Sequence, residues 1–74
     1  MRIYHKDALL GGGSNALDGI DGASLSDGDR AFVMDNNVFY ACRLEINSFA
    51  EVAPPDVIAP VTNAGTKRWI RQTT

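Results

Sequence analysis

His5, Asp7, Ser14 and Cys42 are the residue types from which an activated nucleophile and its base are assembled. Nothing in their spacing holds a base against a nucleophile. Cys42 falls in the middle of an alternating apolar run, where a cysteine ordinarily acts as a small core hydrophobe. A chain of 74 residues also seldom encloses the volume a substrate pocket needs. The chain is expected not to be an enzyme.

Asp18, Asp21, Asp27 and Asp29, set among Gly19, Gly22 and Gly28, offer the oxygen ligands of a calcium loop. Their spacing fits no EF-hand, and ordinary turns require the same residue types, so turns are the preferred reading. Gly11-Gly12-Gly13-Ser14 has a phosphate loop's glycines without its lysine or its flanking strand and helix. It is expected to be a flexible connection, or a surface over which something passes closely. One Cys and one His cannot build a tetrahedral zinc site, so neither metal nor cofactor is expected. Lys67, Arg68, Trp69 and Arg71 could stack on and neutralise a single-stranded nucleic acid. Arginine beside tryptophan more simply covers the ring, and that structural role is preferred.

The bulk numbers narrow the classes further. Seven basic and nine acidic residues give a net charge of −2, which supplies no broad positive field for nucleic acid or an anionic membrane. No apolar run approaches the ~18 residues of a spanning helix, and no signal sequence is apparent. An intracellular chain with Cys42 reduced is expected. A chain this short forms one domain, residues 1–74, and buries only about 60% of the surface its unfolded form exposes. With a single cysteine there is no intrachain disulfide to compensate. Self-association or docking on a larger assembly is the remaining way to add stability.

The elements that must position these residues centre on 29–46. Two β-prone runs flank Asp35-Asn36-Asn37, whose residue types tolerate the left-handed backbone of a tight turn, and a β-hairpin is expected. Val38, Tyr40, Cys42, Leu44 and Ile46 share one strand face and are expected in the core with Val33 and Trp69. Phe39, Ala41, Arg43 and Glu45 share the other face. Arg2-Ile3-Tyr4 could add a strand, and Lys67 to Arg71 is read as a final strand packing Trp69 against the Tyr40 and Leu44 face. Gln72-Thr73-Thr74 is read as a fraying tail. Ser14 or Asn15 could cap one helical turn over Ala16-Leu17-Asp18, and Leu17, Ile20 and Leu25 should pin their polar loop onto the open sheet face. Between Ser48 and Lys67, Pro54, Pro55 and Pro60 predict irregular chain anchored by Val52, Val57, Ile58 and Val61. The fold class is thus mainly β: a small antiparallel sheet on a central hairpin, with one short helical turn and long loops.

Four pieces occur in order: Leu25-Ser-Asp-Gly-Asp29 before a strand, Phe39-Tyr-Ala-Cys-Arg-Leu44, Pro55-Asp-Val-Ile-Ala-Pro60 and Gly65-Thr-Lys-Arg-Trp-Ile70. Together they resemble a small module of bacteriophage and prophage tail-fibre and related tail proteins, over about Leu9 to Ile70. The resemblance implies a non-enzymatic structural or adaptor component of a tail, made in the bacterial cytoplasm and associated with the virion. Its partners would be other tail proteins or a second copy of itself, not nucleic acid or membrane. It implies no catalytic or ligand-binding residue. The expected interaction surface is the outer hairpin face, Phe32, Met34 and Phe39, with Pro54, Pro55 and Ile58 of the neighbouring loop. This assignment holds if Ala31 and Val33 join the core, since a shift of one residue would exchange the faces. Two other readings remain open: a carbohydrate-binding module using Trp69, Phe39 or Tyr40 near the Asp-rich loop, and a nucleic-acid binder with Lys67, Arg68 and Arg71 on one accessible surface.

Overall fold

The computed structural model describes residues 1–72; Thr73 and Thr74, the end of the expected tail, lie outside them. Asn36 and Asn37 hold φ of 51° and 64°, as a two-residue type I′ turn requires. That turn joins β2 (Arg30–Asp35) to β3 (Val38–Glu45) in register from Asp35↔Val38 to Arg30↔Arg43, the hairpin read from the sequence.

Two of the other three strands extend the sheet beyond β3, and one lies beside β2. β5 (Arg68–Arg71) lies antiparallel on β3 with Trp69 opposite Leu44, and β4 (Val57–Ile58) lies antiparallel on β5. β1 (Ile3–Lys6) lies on β2, giving a five-stranded sheet in the order β1-β2-β3-β5-β4. The fold is mainly β as expected, but the sheet is mixed: β1 runs parallel to β2, with Ile3 level with Arg30. A parallel pair cannot be closed by a hairpin and needs a long crossover. Residues 7–29 are that crossover, and they hold two 3-10 turns rather than one, Leu17–Gly19 and Gly22–Ser24. The first has Ala16 as N-cap and no side-chain cap, contrary to the role expected of Ser14 or Asn15; the second is capped by Asp21, which accepts from the Ala23 N–H.

The crossover covers one sheet face. Ala31 and Val33 of β2, Cys42 and Leu44 of β3, Ile58 of β4 and Trp69 of β5 meet Leu9, Leu17 and Leu25 of the crossover in one cluster, with Tyr4, Ile20, Tyr40 and Ile46 packed around it. Trp69 is fully buried and meets the Tyr4 ring edge-on, with centroids 6.1 Å apart. Of the expected core, Val33, Cys42, Leu44 and Trp69 are buried and Tyr40 and Ile46 half-buried, whereas Val38 is 45% exposed. Val38 stands beside the turn, past the last covered pair, Val33↔Tyr40.

Glycine is required where the crossover meets its neighbours. A Cβ on Gly19 would stand 2.1 Å from the Gly13 carbonyl oxygen, so the glycine triplet is indeed crossed at close range. A Cβ on Gly22 would stand 2.1 Å from the Asn63 carbonyl oxygen. The chain after β3 returns to the same side: the Val61 N–H donates to the Asp18 carbonyl and the Gly22 N–H to that of Thr62. Its anchors differ from those expected, since Ile58 and Pro60 are buried and Val57 is half-buried, but Val52 and Val61 are exposed.

Candidate docking surface

Because β-strand side chains alternate, the residues between the core positions form a second face. The register places Ile3, Arg30, Arg43, Ile70 and Val57 in one row across all five strands. His5, Phe32 and Ala41 form the next row, then Met34 and Phe39. Arg68 and Glu45 pair on the other side of the arginine row. Ala41, opposite Phe32, presents only a methyl group, and the Phe39 ring stacks on Phe32 with centroids 5.8 Å apart and planes 15° from parallel. His5 lies 5.8 Å from Phe32 on the other side. Three rings thus run diagonally over β1, β2 and β3, with Phe39, Met34 and Ile3 more than half exposed.

The expected surface is therefore only partly assembled. Phe32, Met34 and Phe39 come together as expected. Ile58 does not join them: it pairs with Trp69 and is 1% exposed, because the two residues of β4 face opposite ways and it is Val57 that reaches the outer face. Pro54 is exposed and Pro55 half-buried. They precede the far edge strand, separated from β3 by β5, so they flank the aromatic cluster at a distance. Ile3, His5 and Arg30 complete the surface and were not expected there, while Arg43 lies on the Phe39 face where the strand alternation puts it. The signal was present only in part, since placing Ile3 and His5 requires the β1 register.

The other constellations are distributed through the fold. His5 lies on the outer face and Cys42 on the core face, so the sheet separates them. Burial pushes the Cys42 thiol up to about 11, although nearby Arg71 opposes the shift. The aspartates act as acceptors that tie loops to backbone. Asp18 accepts from the Gly12 N–H at 2.8 Å, Asp27 from Ile46 at 3.3 Å and Asp35 from Leu9 at 3.0 Å. Asp29, 1% exposed, accepts from Arg2 and Ser26, both at 2.9 Å, and so fastens the start of β1 beside β2. Asp21 accepts from Asn63 Nδ2 and the Ala23 N–H, and these bonds hold its carboxyl below the usual range. Among the described residues no three metal-ligating side chains gather, and no pocket is enclosed.

The C-terminal cations also have separate tasks. Lys67 Nζ donates to the Gly22 carbonyl and Arg68 to the carbonyls of Gly65 and Lys67. Arg71 lies over the Tyr40 ring at 5.1 Å and pairs with Asp56 at 3.4 Å. Arg68 and Arg71 lie on opposite sheet faces, so Lys67, Arg68 and Arg71 do not form one surface. Nor do Trp69, Tyr40 and Phe39 offer the exposed rings a carbohydrate site beside the Asp-rich loop would need: Trp69 is in the core, Arg71 lies over Tyr40, and Phe39 is on the face away from the crossover.

No helix among the described residues is long and apolar enough to cross a membrane. The chain matches no family model, no curated protein and no solved structure.

Proposed function

We propose that this chain is a non-enzymatic structural or adaptor component of a phage or prophage-type tail that works by protein–protein packing through its outer sheet face. The observation that carries this reading is the stacked Phe32–Phe39 pair with Met34 and Ile3 on a sheet face that no other part of the described chain covers. Contiguous exposed apolar side chains on a small domain, rimmed by charges, are the signature of a docking surface. The tail assignment is supported by the ordered series of pieces from Leu25 to Ile70. In a co-sedimentation assay, the purified chain should pellet with purified tail particles. Phe39→Asp should stay in the supernatant while keeping its circular dichroism spectrum. A wild-type chain that never pellets with tails would remove the tail assignment.

A further inference from the structure

The two sides of this molecule differ in charge as well as in cover. Residues 7–29, which form the crossover, contain five aspartates and no Lys, Arg or His; Lys6 and Lys67 donate to the Ser14 and Gly22 carbonyls, and with both lysines counted the layer is still net acidic. Asp18 and Asp29 are buried, and Asp7, Asp21 and Asp27 are exposed. The outer sheet face carries Arg30, Arg43 and Arg68 against Glu45 alone. Three arginines against one glutamate make that face net positive, although the whole chain carries −2.

Apolar surface accompanies both charges. On the crossover side Leu10 is 48% and Val61 68% exposed, and both border the glycine turn, with Val61 only 3.7 Å from where a Gly12 Cβ would stand. On the outer face the apolar group is Phe32, Met34 and Phe39 next to the arginine row. A face-to-face pair of outer faces would oppose like charges, which disfavours it. A crossover laid on an outer face opposes unlike charges and brings the two apolar groups together.

Size limits the strength of this contact. With strands about 4.8 Å apart and about 3.3 Å per residue, five strands and the length of β3 span roughly 19 by 26 Å. Those dimensions bound the face at roughly 500 Å², below the ~800 Å² per partner that standard interfaces bury, so the contact belongs to the weak, concentration-dependent class.

We infer that the partner of the outer sheet face is a second copy of this chain, docked head-to-tail with its acidic crossover layer on the basic, aromatic face of its neighbour. The inference rests on the outer face being a docking surface, as proposed above, and adds the occupant. A head-to-tail contact uses two different surfaces, so it repeats from copy to copy as a ring or an open filament rather than stopping at a dimer.

Sedimentation velocity on the full chain and two surface variants tests this arrangement. One variant, Met34→Ser with Phe39→Ser, removes the apolar group of the outer face; the other, Leu10→Lys with Val61→Lys, blocks the crossover side. All four positions are exposed, so both variants should keep the wild-type circular dichroism, with a urea midpoint lowered by no more than the Phe32–Phe39 stack is worth. Wild type should associate beyond the dimer as concentration rises, and weaken roughly tenfold or more between low and high salt, where screening shortens the range of charge attraction. Each variant alone should be monomeric. Their equimolar mixture should form a one-to-one heterodimer and nothing larger, because each supplies the surface the other retains.

Two results would overturn the head-to-tail arrangement. A crossover variant that associates as wild type does, beside a monomeric face variant, would mean face-to-face pairing and would leave the docking face itself intact. A wild-type chain that stays monomeric at millimolar concentration would exclude a second copy as the occupant. The tail co-sedimentation experiment would then decide separately whether the face has another.

Discussion

On β3, Cys42 and Leu44 are 2% and 0% exposed, while Phe39 on the opposite side of the same strand is 56% exposed. The difference lies in where the loops go. The parallel β1–β2 connection must pass over one side of the sheet, and it brings Leu9, Leu17 and Leu25 to that side alone. The segment after β3 returns there too, through the Val61 and Gly22 hydrogen bonds. In so short a chain little is left to cover the other side. One set of alternating residues therefore holds the fold together, and the other set is available to a partner.

Substitutions on the two faces should separate along the same line. The largest effect is expected at Trp69, where truncation to Ala removes the side chain that bridges Leu44, Ile58 and Tyr4; a loss of about 3–5 kcal/mol is predicted in urea unfolding. Asp29→Ala follows. It leaves the Arg2 and Ser26 N–H groups without their buried acceptor and should cost about 2–4 kcal/mol, with Asp29→Asn retaining part of that. Gly22→Ala, which must push its Cβ away from the Asn63 carbonyl, should cost about 1–3 kcal/mol by the same measurement.

A smaller effect is expected from Cys42, and it depends on pH. Its thiol rises from 9.0 to about 11 on folding, so the folded state holds the proton more tightly. Its contribution is fully present below pH 9, where the thiol is protonated in both states. It is lost as pH rises through about 11, because the unfolded chain ionises first. Wild type should lose about 1–2 kcal/mol more than Cys42→Ala across that window, read as the difference between their urea midpoints against pH.

Much of the covered face was legible in the sequence. The alternation from Val38 to Ile46, the Asn36-Asn37 turn, the Trp69 strand and the Leu17 and Leu25 anchors all follow from side-chain period and turn chemistry. What escaped was long-range pairing. Ile3–Lys6 reads as a strand but carries no mark of direction, and the crossover has no helical period to announce a parallel connection. For the same reason the outer face was legible at Phe32, Met34 and Phe39 but not at Ile3 and His5. Ile58 reads as part of an irregular loop over 54–60 beside that surface, and β4 escapes because a two-residue strand is too short to show a side-chain period.

The pair of substitutions that tests this account most directly lies on β3 itself, on either side of the sheet. Leu44→Ala and Phe39→Ser should be compared by urea unfolding at a concentration where the chain is monomeric. The account predicts a loss of about 2–5 kcal/mol for Leu44→Ala and at most about 1 kcal/mol, the worth of the Phe32 stack, for Phe39→Ser. A Phe39→Ser chain as destabilised as Leu44→Ala would mean that the outer face is part of what holds the fold together, and the division between the two faces would fail.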